Sequence, residues 1–384
     1  MLEHFKPLYA PALRMKSGEL QGIDALSPDI AERILPRFIV PPPIDRDKEL
    51  AQLMMFEDRT PAVAGVLSKY WKRRPVLVDV TYLIDEFGRS SGAKWLPKIF
   101  EACYQASVWA TPMVSLRDLP DLLQALKSTA TPNTGLQLAL RVASGDMVGS
   151  AWKSAVSRGL DALGASPKNC CVVADFGDAD FSQPELVAGV IQGSLEELQE
   201  IGLWKHLIFQ GSNFPEKNPA TPNSNHVVLR NEWSAWCQAV RFDPATAEHM
   251  LFGDYAADCT KMAFGAGGGR AIRHYRYTTR NGWLIQRGAR VGKDSQIMSG
   301  VCAKIVESEH FAGRDFSAAD DYIYLTAKGI SGPGNSTTWR AMNTNHHITR
   351  AVTDVGDVRA IQFARRTVEE IVNQPSLLDE TRLG

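Results

Sequence analysis

Charged and polar side chains recur in this sequence at the points where short apolar runs end. These side chains are Lys16, Glu19, Asp79, Arg141, Asp175, Asp254 and Tyr255. Carboxylates that lie beside Lys and Arg can exchange protons with a polar substrate or hold a divalent metal ion. The sequence therefore predicts catalytic roles for the four carboxylates and substrate-binding roles for the other three residues. A divalent metal is the one cofactor that suits this set.

The apolar runs indicate the fold that positions these residues. They begin at Leu8, Ile34, Pro75, Trp109, Gly135, Cys170, His206 and Met250. Most are rich in Val, Ile and Leu, and each is followed by a stretch with apolar residues at helical spacing. Eight strands that alternate with helices predict an α/β fold, a (β/α)8 TIM-type barrel, over residues 1–262. Such a barrel brings the polar residues to one rim, because its functional loops follow the carboxyl ends of the strands.

Asp79 lies within the apolar run PVLVDVT, with Val on either side. Carboxylates seldom occupy such a position without a partner, and the side chain is expected to point into the barrel. Two interpretations stay open. Asp79 is either a member of a catalytic set or one half of a structural ion pair with Arg141 that holds the rim together.

Residues 263–384 are predicted to form an appended region, with a β-hairpin, a polar loop and a terminal helix, that packs on the barrel. Asn281-Gly282 indicates the hairpin, because this pair is typical of a type I′ turn between two strands. Arginine and aromatic residues are interleaved along the hairpin, a pattern that suits contact with nucleic acid. A strand with one solvated and one packed face has the same pattern.

Two segments of this region contain residues that can act on a phosphate-containing substrate. FGAGGGR follows the eighth run and ends at Arg270, so its backbone N–H groups and this guanidinium are predicted to bind phosphate. A flexible connection is the alternative. The predicted polar loop TTWRAMNTNHHIT supplies Trp339 and Arg340 for substrate binding and His346 and His347 for catalysis. Neighbours on a strand face opposite ways, so the two histidines are a poor pair of ligands for one metal.

Composition excludes several classes of protein. Of the 384 residues 44% are hydrophobic, and the net charge is −1, so no overall attraction to nucleic acid or to a membrane surface follows. No run approaches the length of about 18 apolar residues that a membrane span needs. The six cysteines include no CxxC pair, which predicts free, buried thiols in a reducing compartment. We therefore expect a cytoplasmic protein with no membrane partner.

Four segments resemble the beta family proteins of phages and bacteria. They are YAPALRMKSGE near the start, FGDYAAD at 252–258, the hairpin RYTTRNGWLIQRG and the later GNSTTWRAMNTNHHIT. The positions that the resemblance implies are Tyr9, Pro11, Gly18, Glu19, Asp254, Tyr255, Trp339, Arg340, His346 and His347. One departure is Arg14, where members more often carry lysine, so an essential amine at this position is not supported. The resemblance implies a role in phage–host conflict and no particular reaction.

Two functions stay open on this basis. The first is a hydrolase of a phosphate-containing substrate, a nucleotide or nucleic acid, at the C-terminal rim of the barrel. The second is a non-catalytic recognition component of a phage-defence or counter-defence complex, which would bind a partner protein. The fold alone does not decide between them. Pairing of Asp79, Asp175 and Asp254 with neighbouring cations, without an open cavity, would exclude the enzyme.

Overall fold

The computed structural model describes residues 5–46, 50, 56–57, 60–129, 135–242, 244, 250–260 and 272–368, and every structural statement below refers to them. Arg270 and the segment FGAGGGR, for which phosphate binding is predicted, lie outside these residues.

The strands are, in chain order, β1 (Ala12–Arg14), β2 (Arg37–Ile39), β3 (Phe56–Glu57), β4 (Thr60–Pro61), β5 (Pro75–Asp79), β6 (Trp109–Ser115), β7 (Leu138–Ala143), β8 (Cys170–Asp175), β9 (His206–Gln210), β10 (Asn225–Leu229), β11 (Met250–Gly253), β12 (His274–Thr278) and β13 (Gly282–Arg287). The α-helices are α1 (Ser17–Asp24), α2 (Pro28–Ala31), α3 (Val63–Tyr70), α4 (Thr81–Phe87), α5 (Gly92–Gln105), α6 (Leu119–Lys127), α7 (Ala151–Leu163), α8 (Pro184–Ile201), α9 (Asn231–Phe242), α10 (Asp294–Val306), α11 (Ala318–Ala327) and α12 (Ser336–Val358).

Eight of the strands form a parallel barrel. The order around the ring is β1, β2, β5, β6, β7, β8, β9 and β11. The ring closes between its first and last strands, where the N–H groups of Ala10 and Ala12 donate to the carbonyl oxygens of Phe252 and Asp254 at 2.8 Å. Each barrel strand falls in one of the eight apolar runs, and helices follow the strands. The predicted (β/α)8 barrel is confirmed.

Alternation along the strands explains why charged side chains meet inside the barrel. Its apolar interior includes Leu35, Leu77, Ala139 and Val173. Side chains two residues further along a strand face the same way, and the residues at those positions are Arg37, Asp79, Arg141 and Asp175. The barrel thus carries a charged layer above an apolar one, at the carboxyl ends of its strands.

The C-terminal elements pack against the barrel as a small sheet and helices. Strands β12 and β13 form the predicted hairpin, and β10, which follows barrel strand β9 in the chain, pairs with β13 as a third strand. A strand from the range predicted for the barrel therefore completes this sheet, and the division at residue 262 stays a proposal. Neither Asn281 nor Gly282 has a positive φ, so the prediction of a type I′ turn at this pair is wrong.

The segment predicted as a polar loop is helical, which corrects the sequence interpretation. It forms the first half of α12, where the side chain of Asn335 accepts a hydrogen bond from the N–H of Thr338 at 2.9 Å. Thr, Asn and His have modest helix propensity, so burial of this helix against the barrel outweighs local preference. The predicted terminal helix is wrong where it can be compared, because the helix ends at Val358 and residues 361–368 are not helical.

The six cysteines, all within the described residues, form no disulfides, and Cys103, Cys170, Cys171 and Cys302 are buried. Burial raises the pKa of the Cys103 thiol to about 12, which suppresses its reactivity. Among the described residues, the helices are either too short or too polar to cross a membrane.

Helices α1 and α12 pack closely, and Gly22 makes the approach possible. A Cβ atom at Gly22 would lie 2.7 Å from the carbonyl oxygen of Ala341 and 2.8 Å from Cβ of Thr344. We expect Gly22→Ala to lower the free energy of unfolding by about 1–3 kcal/mol, because overpacking forces the helices apart.

Urea unfolding of Gly22→Ala beside Gly189→Ala measures this effect. Gly189 lies in helix α8, and a Cβ atom added there would have nothing within 4 Å. The same change at Gly189 should therefore stabilise the protein by about 0.5–1 kcal/mol through helix propensity. Equal stability of the two variants would contradict close packing of α1 on α12.

Candidate functional site

The charged layer at the mouth of the barrel is a network of ion pairs. Arg37 on β2 donates to Oδ2 of Asp79 from Nε at 3.0 Å and from Nη2 at 2.6 Å. The other oxygen of Asp79 accepts from the N–H and hydroxyl of Thr81 at 2.9 and 2.6 Å. Burial opposes ionisation of Asp79, but the charges of Arg37 and Arg141 outweigh it, and the pKa of this carboxyl lies below its usual value.

Arg141 pairs with a different carboxylate from the one expected. Its Nη1 lies 3.2 Å from Oδ2 of Asp175, whose Oδ1 accepts from the N–H of Gly177 at 2.9 Å and from the hydroxyl of Tyr255 at 3.4 Å. The expected ion pair between Asp79 and Arg141 is therefore replaced by two pairs, with Arg37 as the partner that the sequence did not indicate. Two cations and two anions balance, and both of these carboxylates accept from cationic donors.

Asp254 and His347 belong to a buried hydrogen-bonded chain that joins the barrel to helix α12. The hydroxyl of Tyr9 donates to Oδ1 of Asp254, whose Oδ2 lies 2.8 Å from Nε2 of His347. Nδ1 of His347 lies 2.9 Å from Oγ1 of Thr278 on β12. Burial lowers the pKa of His347, so the neutral ring donates from Nε2 to Asp254 and accepts from Thr278. Asp254 and His347 are almost fully buried, at 1% and 0% exposure.

His346 joins different elements. Its Nδ1 lies 2.9 Å from Oδ2 of Asp320 on α11, and its Nε2 lies 2.8 Å from the carbonyl oxygen of Thr278. The ring also stacks on Tyr277, with 4.0 Å between ring centres. The two histidines therefore lie in the interior with their ring nitrogens occupied, and their catalytic roles stay a prediction.

A second buried cluster lies beside this chain, at the start of helix α9. Nη1 of Arg230 donates to Oδ2 of Asp354 at 2.8 Å, whereas its Nε lies 3.9 Å from Oε1 of Glu232. Oε2 of Glu232 accepts a long bond, 3.2 Å, from the N–H of Asn213. Burial raises the pKa of Glu232 to about 8 despite the nearby charge of Arg230.

An open cavity lies at the rim between the start of α1, strand β12 and the start of α12. We call it the rim pocket, and its volume is about 370 Å³. Its charged and polar lining includes Arg14, Lys16, Glu19, His274, Arg276, Trp339, Arg340 and Asn343. Arg14 ends barrel strand β1, so the pocket opens at the carboxyl ends of the strands, where barrels carry their functional loops.

Three guanidinium groups that line the rim pocket, each from a different element, meet at one carboxylate. Asp258, which follows β11, lies 2.7 Å from Nη2 of Arg340, 3.0 Å from Nη2 of Arg14 and 3.2 Å from Nη1 of Arg276. Arg14 also donates from Nε to Oε1 of Glu19 at 2.9 Å. Burial opposes ionisation of Asp258, but the three arginines hold its pKa well below the usual range. Three cations against two carboxylates leave this part of the pocket positively charged.

Two buried acceptors of the pocket have no hydrogen-bond partner among the described residues. They are Oε2 of Glu19 and Oδ1 of Asn343. Glu19 is 4% exposed and Asn343 is 6% exposed, so bulk water does not reach them freely. Buried polar groups are normally paired, and these two oxygens therefore mark places where a bound molecule can donate.

The site residues predicted from sequence fall into separate places. Lys16, Glu19, Trp339 and Arg340 line the rim pocket, although Lys16 is paired with Asp45 at 2.6 Å. Asp79, Arg141, Asp175 and Tyr255 meet at the barrel mouth. Asp254 is buried, as are His346 and His347 on helix α12. The described part of the chain contains no group of three or more His, Cys, Asp or Glu side chains that could hold a metal ion.

Sequence reasoning missed several residues that line the pocket, and also Asp258, which pairs with its arginines. Arg276 is the first residue of the segment RYTTRNGWLIQRG, Asp258 ends FGDYAAD, and Arg14 stands out in the sequence only as a departure from the family pattern. The available signal is that each of these three charged residues lies within a segment that resembles the family. Asn343 gave no such signal, because it stands in a segment with the composition of a loop.

Comparison with known proteins adds a family. The chain is similar to triosephosphate isomerase from Bartonella henselae, with 12% identity over 65% of this chain and 94% of that chain, and with a TM-score of 0.28. No protein of curated function matches it. The sequence model of the Beta protein family matches residues 9–353, nearly the whole chain. The four segments that resemble this family all lie within that match, and the chain belongs to the Beta protein family.

Proposed function

We propose that the rim pocket binds a phosphate-containing small molecule, in the class of nucleotides and sugar phosphates, and that the chain hydrolyses a phosphoester there. The observation that carries the proposal is that Arg14, Arg276 and Arg340 line an open cavity and share the single carboxylate of Asp258. Guanidinium groups bind phosphate through paired hydrogen bonds.

One further feature favours a phosphate over a neutral ligand. Helix α1 begins beside the pocket without a side-chain cap, and the start of a helix attracts anions. The volume of about 370 Å³ is that of a small-molecule site, which makes a nucleotide the better candidate than a nucleic-acid duplex. A cytoplasmic location, where such molecules are abundant, is part of the same proposal.

Glu19 is the residue of the pocket best suited to act as a general base. Its Oε1 is held by Nε of Arg14, while Oε2 is free of protein donors among the described residues. A water oxygen attacks phosphorus and gives its proton to Oε2 of Glu19. The ester P–O bond breaks, its electron pair goes to the leaving oxygen, and that oxygen takes a proton from solvent. The arginines stabilise the charge that gathers on the phosphoryl oxygens.

Calorimetric titration with adenosine 5′-monophosphate, ribose 5-phosphate and pyrophosphate tests binding. We expect Arg340→Met to weaken binding about 10- to 100-fold, the equivalent of one or two charge-assisted hydrogen bonds. Arg280→Met is the matched control, because Arg280 is a largely exposed arginine 3.5 Å from Asp357. Equal affinity of the two variants, or no binding by the folded wild-type protein across the panel, would exclude this proposal.

Turnover is tested separately by the release of inorganic phosphate. Glu19→Gln should bind phosphate ligands but release no product, since the amide cannot take the proton of water. If the wild-type protein binds these ligands but releases no inorganic phosphate, the proposal of hydrolysis is excluded. The protein would then be a receptor for phosphate-containing molecules.

A recognition component of a phage-defence complex is the second candidate, and strand β10 favours it. β10 is an edge strand of its sheet, and Val227 and Leu229 on it are 47% and 59% exposed. An exposed apolar edge can accept a strand from a partner protein. Loss of phage restriction in cells that express Val227→Lys with Leu229→Lys, but not in cells that express Arg340→Met, would support this candidate over the first.

A further inference from the structure

The unpaired acceptor of Asn343 carries an inference about which phosphate-containing molecule the rim pocket takes. It rests on the proposed function, because it concerns the same pocket. Asn343 lines the pocket, is 6% exposed, and its Oδ1 has no donor among the described residues. Leaving such an oxygen unpaired is unfavourable, so a ligand that donates to it binds better than one that does not.

The position of Asn343 relative to the arginines limits where that donor lies on the ligand. Arg340 and Asn343 are three residues apart on α12, so both project from one face of the helix. Their separation along the helix axis is about 4.5 Å, at about 1.5 Å per residue. When the phosphate of a ligand contacts Arg340, the part of the ligand that carries the phosphate therefore lies near Asn343. A more distant substituent does not.

The surroundings of Asn343 favour a hydroxyl donor over a cation. The neighbouring ionised groups of the pocket are Arg14, Arg276 and Arg340, balanced in part by Glu19 and Asp258. The excess positive charge disfavours an ammonium group here. A neutral O–H on the carbon skeleton next to the phosphate meets both conditions, and sugars are the common skeletons that carry one.

We propose that Asn343 is a specificity-determining residue, which selects sugar phosphates with a free ring hydroxyl over their deoxy counterparts. Oδ1 accepts the hydrogen bond from that hydroxyl while Arg14, Arg276 and Arg340 hold the phosphate. A site built to accept from a hydroxyl rejects the analogue that lacks it, because the buried oxygen is then left unpaired.

The test compares binding of hydroxyl and deoxy ligands by calorimetric titration of the full chain. The ligands are adenosine 5′-monophosphate, its 2′-deoxy and 2′,3′-dideoxy forms, ribose 5-phosphate and pyrophosphate. We expect the dideoxy nucleotide to bind at least about 10-fold more weakly than the ribonucleotide. Similar affinities of ribose 5-phosphate and the ribonucleotide indicate that the sugar phosphate is sufficient, and a marked preference for the ribonucleotide adds a contact to the base.

Two variants connect the selectivity to Asn343. Asn343→Leu should bind hydroxyl and dideoxy ligands alike while pyrophosphate affinity stays within about 2-fold. Asn343→Asp keeps an acceptor and should keep the preference, although its charge weakens binding of every phosphate. Circular dichroism and thermal melting show whether each variant is folded. The preference of the wild-type protein for hydroxyl ligands is measured independently of the variants.

The outcomes separate this inference from the proposed function. If pyrophosphate binds and the wild-type protein does not distinguish the hydroxyl ligands from the dideoxy nucleotide, the role of Asn343 is excluded and the phosphate site stands. If selectivity persists in Asn343→Leu, another residue provides it and the inference is wrong. If pyrophosphate and the other ligands all fail to bind, the phosphate site itself is excluded.

Discussion

Asp254→Ala is expected to lower the free energy of unfolding by about 3–5 kcal/mol, because three buried donors lose their acceptor. Asp254 accepts from the hydroxyl of Tyr9, from Nε2 of His347 and from the N–H of Ala256. All of these contacts are buried, so the variant leaves several donors without a partner and without water. The neutral ring of His347 would also lose the acceptor that fixes its orientation.

Urea unfolding followed by tryptophan fluorescence measures this loss. The matched control is Asp357→Ala, the same change near the end of the same helix that holds His347. Asp357 is 39% exposed and 3.5 Å from Arg280, and removal of such a surface pair changes stability by no more than about 0.5–1 kcal/mol. If Asp254→Ala is as stable as Asp357→Ala, the buried chain does not hold α12 on the barrel.

Glu232→Gln is expected to remove a loss of stability that the wild-type protein suffers as the pH rises. The pKa of Glu232 is raised to about 8 in the folded protein, with burial as the main cause. Between the unfolded pKa and this value the folded protein holds a proton that the unfolded chain releases. Stability therefore falls with increasing pH over this range, by up to about 1.4 kcal/mol per pH unit.

The measurement is the difference in unfolding free energy between Glu232→Gln and the wild-type protein at pH 5 and at pH 8.5. We expect the unfolding free energy of the variant, relative to that of the wild-type protein, to increase by roughly 2–4 kcal/mol from the lower to the higher pH. Glu200→Gln is the control, since Glu200 is 66% exposed and forms a surface pair with Lys153. A pH-independent difference would mean that Glu232 ionises normally beside Arg230.

The barrel could be predicted because its signal is repeated and local. Each strand is a short apolar run, and the alternation that makes Leu77 face inward also makes Asp79 do so. The convergence of Asp79, Arg141 and Asp175 follows from that period. The sequence period does not predict which cation pairs with which carboxylate. Arg37 and Arg141 are on different strands, and the register and stagger of the strands around the ring determine their partners.

Helix α12 could not be predicted from its local sequence, for a different reason. Its first half is rich in Thr, Asn and His, and Thr and Asn readily bind the neighbouring backbone in loops. In the protein several of these polar groups are paired across the interface instead, as His346 is with Asp320 and His347 is with Asp254. A buried polar face has the composition of a loop, and only its partners, which are distant in sequence, distinguish the two.

The rim pocket depends on the same long-range assembly. Arg14, Asp258 and Arg340 come from the start, the middle and the end of the described chain. Their charges are visible in the sequence, but their common location requires the closed barrel and the position of α12 on α1. Resemblance to the family identified Glu19 and Arg340. A Cβ atom at Gly18 would lie 2.7 Å from Cβ of Arg340, so the absence of a side chain at Gly18 lets these segments meet.

The hydrogen bond between Tyr9 and Asp254 also bears on how the protein is made. The two residues are 245 positions apart, and the first barrel strand leaves the ribosome long before the strand that closes the ring against it. During most of synthesis the nascent chain must therefore keep an open strand edge from pairing with other chains. Contacts so distant in sequence also slow folding, and we expect overproduction at high temperature to yield aggregates that slower synthesis in the cold reduces.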